Sequence, residues 1–277
     1  MFDRSYRSSV LVGLFFLTSI GGSAQAADWP SEVVARYDIS FSGFNVGTFN
    51  FRSKVDGKRY HLAGEANISA MFGAFQWTGL TRSSGQANRL QPDPKKYSFD
   101  FSSNAMHGSV RIGFIRGHIV RSDISPYKPY TNDYVPLLRE HMRNVYDPIS
   151  AVMALTRSAN GNPCERRLPI FDGRQRFDLL LTLEKRKKIT ENKANEQPAI
   201  AYVCKVQYVP LGGYKPNAHT DYMAQNSEMR VVMRAVPSAN LFIPYEVRVP
   251  TVAGEALLSA RHVNIVTAQR QRIALVH

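Results

Sequence analysis

The stretch Val33-Val34-Ala35-Arg36-Tyr37-Asp38-Ile39-Ser40-Phe41 sets Val33, Ala35, Tyr37, Ile39 and Phe41 on one face and Arg36, Asp38 and Ser40 on the other. A period of two with one apolar face is the pattern of an antiparallel strand that is half covered by solvent. The same pattern recurs along the chain. Tyr97, Phe99 and Phe101 alternate with Ser98, Asp100 and Ser102, and Val110, Ile112 and Phe114 flank Arg111. Met229, Val231, Met233 and Ala235 oppose Glu228, Arg230 and Arg234, while Leu241, Ile243, Tyr245, Val247 and Val249 oppose Glu246 and Arg248. Turn dipeptides separate the runs at Ser42-Gly43, Asp56-Gly57, Asp172-Gly173 and Gly212-Gly213. The pattern predicts a mainly β fold, with long antiparallel strands forming a curved sheet, an open barrel or a spiral. No linker or internal repeat divides residues 27–277, so they are read as one β-rich domain.

One helix interrupts the strands. Asp147 is placed to cap it and Pro148 fits its first position. Ile149, Val152, Met153 and Thr156 then recur at helical spacing, which predicts a short amphipathic helix lying across the sheet. Asp172-Gly173 between Leu168–Phe171 and Arg174–Phe177 predicts a two-residue hairpin, with positive φ at both turn positions. That register sets Phe171 opposite Arg174, Leu168 opposite Phe177 and Arg167 opposite Asp178. Pro169 has no amide to donate, so its strand belongs at an edge. Residues 123–136, with Pro126, Pro129 and Pro136, read as irregular, and Lys185–Gln197 reads as a long polar hairpin tip.

The start of the chain reads as an export signal. Arg4 and Arg7 precede an apolar run from Val10 to Ile20, and Ala24-Gln25-Ala26 supplies small residues for cleavage after Ala26. That run is too short to span a bilayer, and no other stretch is long and apolar enough, so no transmembrane anchor is expected after cleavage. Residues 1–26 are therefore the expected signal peptide, and the remainder is expected in the periplasm. Lys plus Arg is 35 and Asp plus Glu is 22 in 277 residues, a net charge of +13. For an exported protein nucleic acid is not the expected partner. The anions on offer are lipid headgroups, phosphorylated saccharides, cell-wall carboxylates and acidic proteins. The plain alternative is that the charge serves solubility. Cys164 and Cys204 are the only cysteines, and an oxidising compartment favours a disulfide between them. A redox pair would more often show C-x-x-C spacing, which is absent.

Catalytic motifs are missing. There is no G-x-S-x-G and no glycine-rich phosphate loop. Ser125-Pro126-Tyr127-Lys128 matches S-x-x-K, but its prolines oppose the helix that motif needs. The seven histidines show no metal-ligand spacing, so neither a metal nor a cofactor is expected. What remains is a binding surface. Phe72, Phe75 and Trp77 cluster beside a turn, and with Ile149 and Met153 of the helix they are candidates to line an apolar cleft. The alternative is that they fill the core. Arg174 and Arg176, two apart beside the Asp172-Gly173 turn, are candidates for an anion-binding patch.

The segment Cys164-Glu165-Arg166-Arg167-Leu168-Pro169-Ile170-Phe171-Asp172-Gly173-Arg174-Gln175-Arg176-Phe177-Asp178-Leu179 resembles the hallmark of a bacterial envelope family, domain of unknown function 3108. The resemblance extends to Tyr37-Asp38-Ile39-Ser40-Phe41-Ser42-Gly43, Asp147-Pro148-Ile149-Ser150-Ala151 and the stretch from Val203 through Cys204 to Pro216. It implies a periplasmic β-rich protein with a bridged cysteine pair and no assigned catalytic residues. That family is similar, more loosely, to β-spiral envelope-homeostasis proteins and half-barrel lipoprotein carriers. The expected function is non-enzymatic support of the cell envelope by binding one of its components. The alternatives are a carrier enclosing a lipid acyl chain in the curved sheet, and an enzyme of unknown type.

Overall fold

Alternation along the chain becomes one continuous antiparallel sheet in the computed structural model, which describes residues 29–89, 91–158, 161–189 and 199–276. The expected signal peptide lies outside these residues. The first seven strands are β1 (Glu32–Phe41), β2 (Phe44–Asp56), β3 (Arg59–Ala70), β4 (Phe75–Ala87), β5 (Pro92–Ser103), β6 (His107–Ile115) and β7 (His118–Ser125). Helix α1 (Pro148–Leu155) follows, then β8 (Arg166–Phe171), β9 (Arg176–Ile189), β10 (Ala199–Gly212), α2 (Ala218–Gln225), β11 (Arg230–Val236), β12 (Leu241–Thr251), β13 (Gly254–Val266) and β14 (Arg272–Val276). The spatial order runs from β7 to β1 and then from β13 to β8, so the two halves of the chain join where β1 pairs with β13. β14 pairs with the part of β13 that β12 leaves free.

The sheet curls around α1 but does not close into a barrel. The segment Arg143–Tyr146 stitches across the gap between its edges. Asn144 donates to the Gly117 carbonyl at 2.7 Å, Tyr146 donates to Pro169 at 2.8 Å, and Phe171 donates back to Tyr146 at 2.9 Å. Pro169 therefore sits on edge strand β8, where its missing amide leaves no central ladder bond unmade.

Helix α1 begins as its sequence indicates. Asp147 Oδ1 accepts from the Ser150 amide at 2.9 Å, and Pro148 occupies the first turn. Its C-terminal end is held by Arg166, whose Nη1 donates to the Ala154 and Arg157 carbonyls. The helix is not amphipathic, however. Ser150, Ala151, Ala154 and Leu155 are buried along with Ile149 and Met153, because the curled sheet surrounds the helix rather than lying beneath it. A second short helix, α2, was not expected; Asn217 caps it through the His219 and Thr220 amides.

Two further expectations are corrected. The β8–β9 connection is a four-residue loop, 172–175, with Phe171 opposite Arg176 and Leu168 opposite Leu179. Asp172 closes the loop with its carboxylate, which accepts from the Arg174 and Gln175 amides at 2.8 and 2.7 Å. The side chain does the work that a two-residue turn would assign to the backbone. Arg167 and Asp178 still pair, at 2.5 Å, but as diagonal rather than facing neighbours. Lys185–Ile189 belong to β9 rather than to a hairpin tip; the rest of that expected tip, 190–197, lies outside the described residues. Cys164 and Cys204 form a disulfide with Cα atoms 5.1 Å apart, tying the approach to β8 to the middle of β10.

Candidate functional site

The inner face of the sheet and α1 enclose an apolar cavity of about 300 Å³. Ile149, Val152 and Met153 of the helix face Tyr37, Leu181 and Ile243 of the sheet. Its polar lining is confined to a few side chains, among them Ser53 and Thr156. A second cleft of about 540 Å³ adjoins it, and Phe49, Ile149 and Val152 line both. Val152 of the helix is 38% exposed and lines this shared space. Cavities of several hundred Å³ with apolar walls and a few polar groups suit small apolar ligands.

The cleft has an aromatic floor. Phe99 stacks on Phe101 with ring centres 5.6 Å apart, and Trp77 leans on Phe99 at 6.3 Å. Glycines let these rings lie against the sheet. A Cβ on Gly79 would stand 2.3 Å from the Trp77 ring, one on Gly108 2.5 Å from Phe101, and one on Gly64 2.8 Å from Phe49. Rings covering strand glycines restore packing that the glycines forgo. All four rings stay partly exposed, so this paving is a surface rather than sealed core.

Arg174 stands at the rim of the cleft, beside Asp172. Its guanidinium lies 4.7 and 4.8 Å from the Tyr130 and Tyr134 ring centres, and Nη1 donates to the Lys128 carbonyl at 2.7 Å. Nη2 is enclosed without a hydrogen-bond partner. A buried unpaired donor of this kind is costly. Burial raises the Asp172 carboxyl above the ordinary carboxylate range, despite the backbone amides it accepts from.

The proposed pairing of Arg174 with Arg176 is not found. Arg176 is 5% exposed and pairs with the buried Asp178 at 2.6 Å, leaving no free guanidinium for a ligand. The four-residue loop moves Arg174 out of the strand, so the two do not share a face. Nor does the expected cleft assemble as read. Ile149 and Met153 line the cavity, and Trp77 joins the aromatic floor through Phe99. Phe72 is fully exposed and Phe75 is 42% exposed at the β3–β4 tip, so these two neither line the cleft nor fill the core.

Two constellations were not anticipated. The first is buried under the N-terminus of α1. Asp147 Oδ2 accepts from Ser150 Oγ at 2.7 Å and Ser83 Oγ at 2.9 Å, and Tyr60 shares a hydrogen bond with Ser150 Oγ at 2.8 Å. Burial raises the Asp147 carboxyl to about 6, and burial beside Asp147 pushes the Tyr60 hydroxyl up as well. Asp147, Ser150 and Tyr60 are 0% exposed, so no substrate reaches them; the group anchors the helix to β3 and β4.

The second is a basic lattice on the outer face. Arg52, Ala63, Arg82, Ser98 and Arg111 stand in one row across β2 to β6. Lys54, His61, Ser84, Lys96, Gly113 and Arg121 form the row beside it, across β2 to β7. The residues between the basic ones are mostly small, and the lattice forms a shallow depression. Arg111 and Arg121 are partly neutralised by Asp100 and Asp123. These residues occupy polar positions of alternating strands, but only the register brings them together.

The fold and site define a curled antiparallel sheet wrapped on a buried helix, with an apolar interior and an aromatic-floored mouth. The chain belongs to the family described as Protein of unknown function (DUF3108), whose model matches residues 36–260. No curated protein and no solved structure matches the chain.

Proposed function

We propose that the protein is a non-enzymatic periplasmic binder of an envelope lipid, holding an acyl chain in the space beside α1 and its anionic end at Arg174. The observation that carries this reading is the continuity of the apolar cavity with the aromatic cleft through Phe49, Ile149 and Val152. Arg174, which lines the cleft at its rim, would meet the carboxylate or phosphate of the ligand. No catalytic step is assigned. The polar group around Asp147 is satisfied internally and sealed from solvent.

A dansyl-labelled fatty acid is the probe that tests it. Saturable binding with an apolar emission shift is expected. Val152→Trp fills the shared space and should weaken binding by about tenfold or more, with the fold retained by circular dichroism. Arg174→Gln should weaken binding less, since it removes one charge-assisted contact. Equal binding by wild type and Val152→Trp would refute the reading.

A second reading is favoured by the outer basic lattice: attachment to an anionic envelope polymer through Arg52, Arg82 and Arg111. Its mark would be salt-sensitive binding to phosphorylated saccharide, abolished by Arg82→Glu and untouched by Val152→Trp.

A further inference from the structure

Four consecutive hairpins end at the same edge of the sheet. Their tips lie between β1 and β2, β3 and β4, β5 and β6, and β12 and β13. The register brings them together, because Phe41 pairs with both Phe44 and Ala256, Gly47 with Ile68, Trp77 with Ser103, and Thr251 with Gly254. Each tip presents a large apolar side chain to solvent. Phe44 is 77% exposed, Met71 72%, Met106 54% and Val252 60%, and Phe72 is fully exposed. Met71 and Phe72 take consecutive left-handed conformations, φ 50° and 56°, that bulky residues seldom adopt. The backbone there is held in a form that projects apolar side chains outward, which is the kind of strain found at working sites.

Charge is missing from these four tips, although the Asp172–Gln175 loop at the same end of the sheet carries Asp172 and Arg174. Residues 41–50, 66–81, 101–110 and 249–254 contain no Lys, Arg, Asp or Glu, in a chain of which 21% is charged. The opposite edge is different, with Asp56, Lys58 and Arg59 at one tip and Arg116 and His118 at another. Directly behind the apolar tips, the outer face is polar and uncharged, carrying Asn45, Thr48, Asn67, Gln76 and Thr78. The basic lattice begins farther back, at Arg52, Arg82 and Arg111, behind a row that carries Glu65 and Asp100, the latter paired with Arg111.

Apart from the Glu65 and Asp100 row, that order of layers matches a bilayer surface from inside outward. Apolar groups suit the acyl boundary, uncharged polar groups the headgroup layer, and basic groups the aqueous zone above anionic lipid. The spacing agrees. Strands of a curled sheet tilt by about 35–45°, so the rise from Phe75 to Arg82 is about 17 Å along the axis. With the tips about 5–10 Å deep, the arginines stand roughly 7–12 Å above the surface, close to one Debye length. We infer that this rim docks on a bilayer containing anionic phospholipid. The aromatic cleft opens at the same edge, since Phe101 lies just inside the β5–β6 tip and the Asp172–Gln175 loop flanks it. Docking therefore sets the cleft mouth against the lipid, a consequence that rests on the acyl-binding reading, whereas the docking itself does not.

Flotation with vesicles of phosphatidylethanolamine and phosphatidylglycerol tests the inference, using the protein described above. Wild type should float. The triple variant Phe44→Ser, Phe72→Ser, Met106→Ser should lose about tenfold or more of its partitioning, at an unchanged melting temperature because all three side chains are exposed. Phe72→Trp should show a blue shift and quenching by brominated lipid. Arg82→Glu with Lys96→Glu should weaken binding to anionic vesicles and leave binding to purely zwitterionic ones unchanged. Val152→Trp should still float while failing to take up the dansyl fatty acid, so the failure of one idea is separable from failure of the other. Wild type that stays unbound at every composition, or a triple variant that floats equally well, overturns the inference. So does a wild type that remains in solution as a dimer which the triple variant dissolves, since the rim would then be a self-association surface.

Discussion

Asp147 performs two tasks that pull in opposite directions. As a cap and anchor it gathers hydrogen bonds from the Ser150 amide, Ser150 Oγ and Ser83 Oγ. As a buried carboxyl it is desolvated, and desolvation outweighs those bonds, raising it from 3.8 to about 6. The folded state thus holds a proton that the unfolded chain releases near 3.8. The stabilisation from this protonation is complete below that value and is lost as pH rises through about 6. At 1.4 kcal/mol per unit over roughly two units, the loss approaches about 3 kcal/mol. Urea unfolding of wild type and Asp147→Asn at pH 4.5 and 7.5 checks it. The wild type should lose more stability between the two pH values than the variant, and parallel changes would mean the carboxyl is not driving the effect. Gly79 is the other position where one atom decides. Gly79→Ala puts a methyl 2.3 Å from the Trp77 ring. It should destabilise by about 1–3 kcal/mol and move the Trp77 emission, whereas Gly57→Ala, with open space around it, should leave that emission alone.

At the scale of elements, the strands and the turns at Ser42-Gly43 and Asp56-Gly57 were legible, and the connection after Phe171 was not. Tyr97, Phe99 and Phe101 announce β5 by alternation, because one side of that strand faces the interior and the other faces solvent. The four-residue loop after Phe171 was misread because Asp-Gly suits either a backbone turn or a side-chain-closed loop, and the choice lies in contacts such as Ser122 Oγ to the Gly173 carbonyl at 2.7 Å. The cap of α1 was legible in Asp147-Pro148, but the burial of all its central residues except Val152 was not, since periodicity reports faces and not how far a sheet curls. Arg174 was legible as an anion-binding candidate; Arg176 was lost to Asp178, a pairing that depends on depth within the fold. The disulfide also belongs to this scale. Its closed loop contributes about 4 kcal/mol in the chain-entropy account. Cys204→Ser should lower stability by about 2–5 kcal/mol, with far-ultraviolet circular dichroism unchanged at low temperature. A variant as stable as wild type would mean that the buried apolar contacts around Met233 alone hold this region.

At the scale of the whole molecule, the two faces of one sheet serve different chemistry. The inner face is apolar and glycine-relieved, so aromatic rings lie flat and leave room beside α1. The outer face carries the basic residues of a chain with net charge +13. Neither the basic lattice nor the apolar rim could be read along the chain, because both are assembled across strands. They form where β2 to β7 come into register and where four hairpins end together. If the interior holds an acyl chain, as proposed, native mass spectrometry of the purified protein should find it. Wild type should carry a bound lipid, released on collisional activation and absent from Val152→Trp. Wild-type protein at its bare polypeptide mass, with or without a bound saccharide, would contradict it.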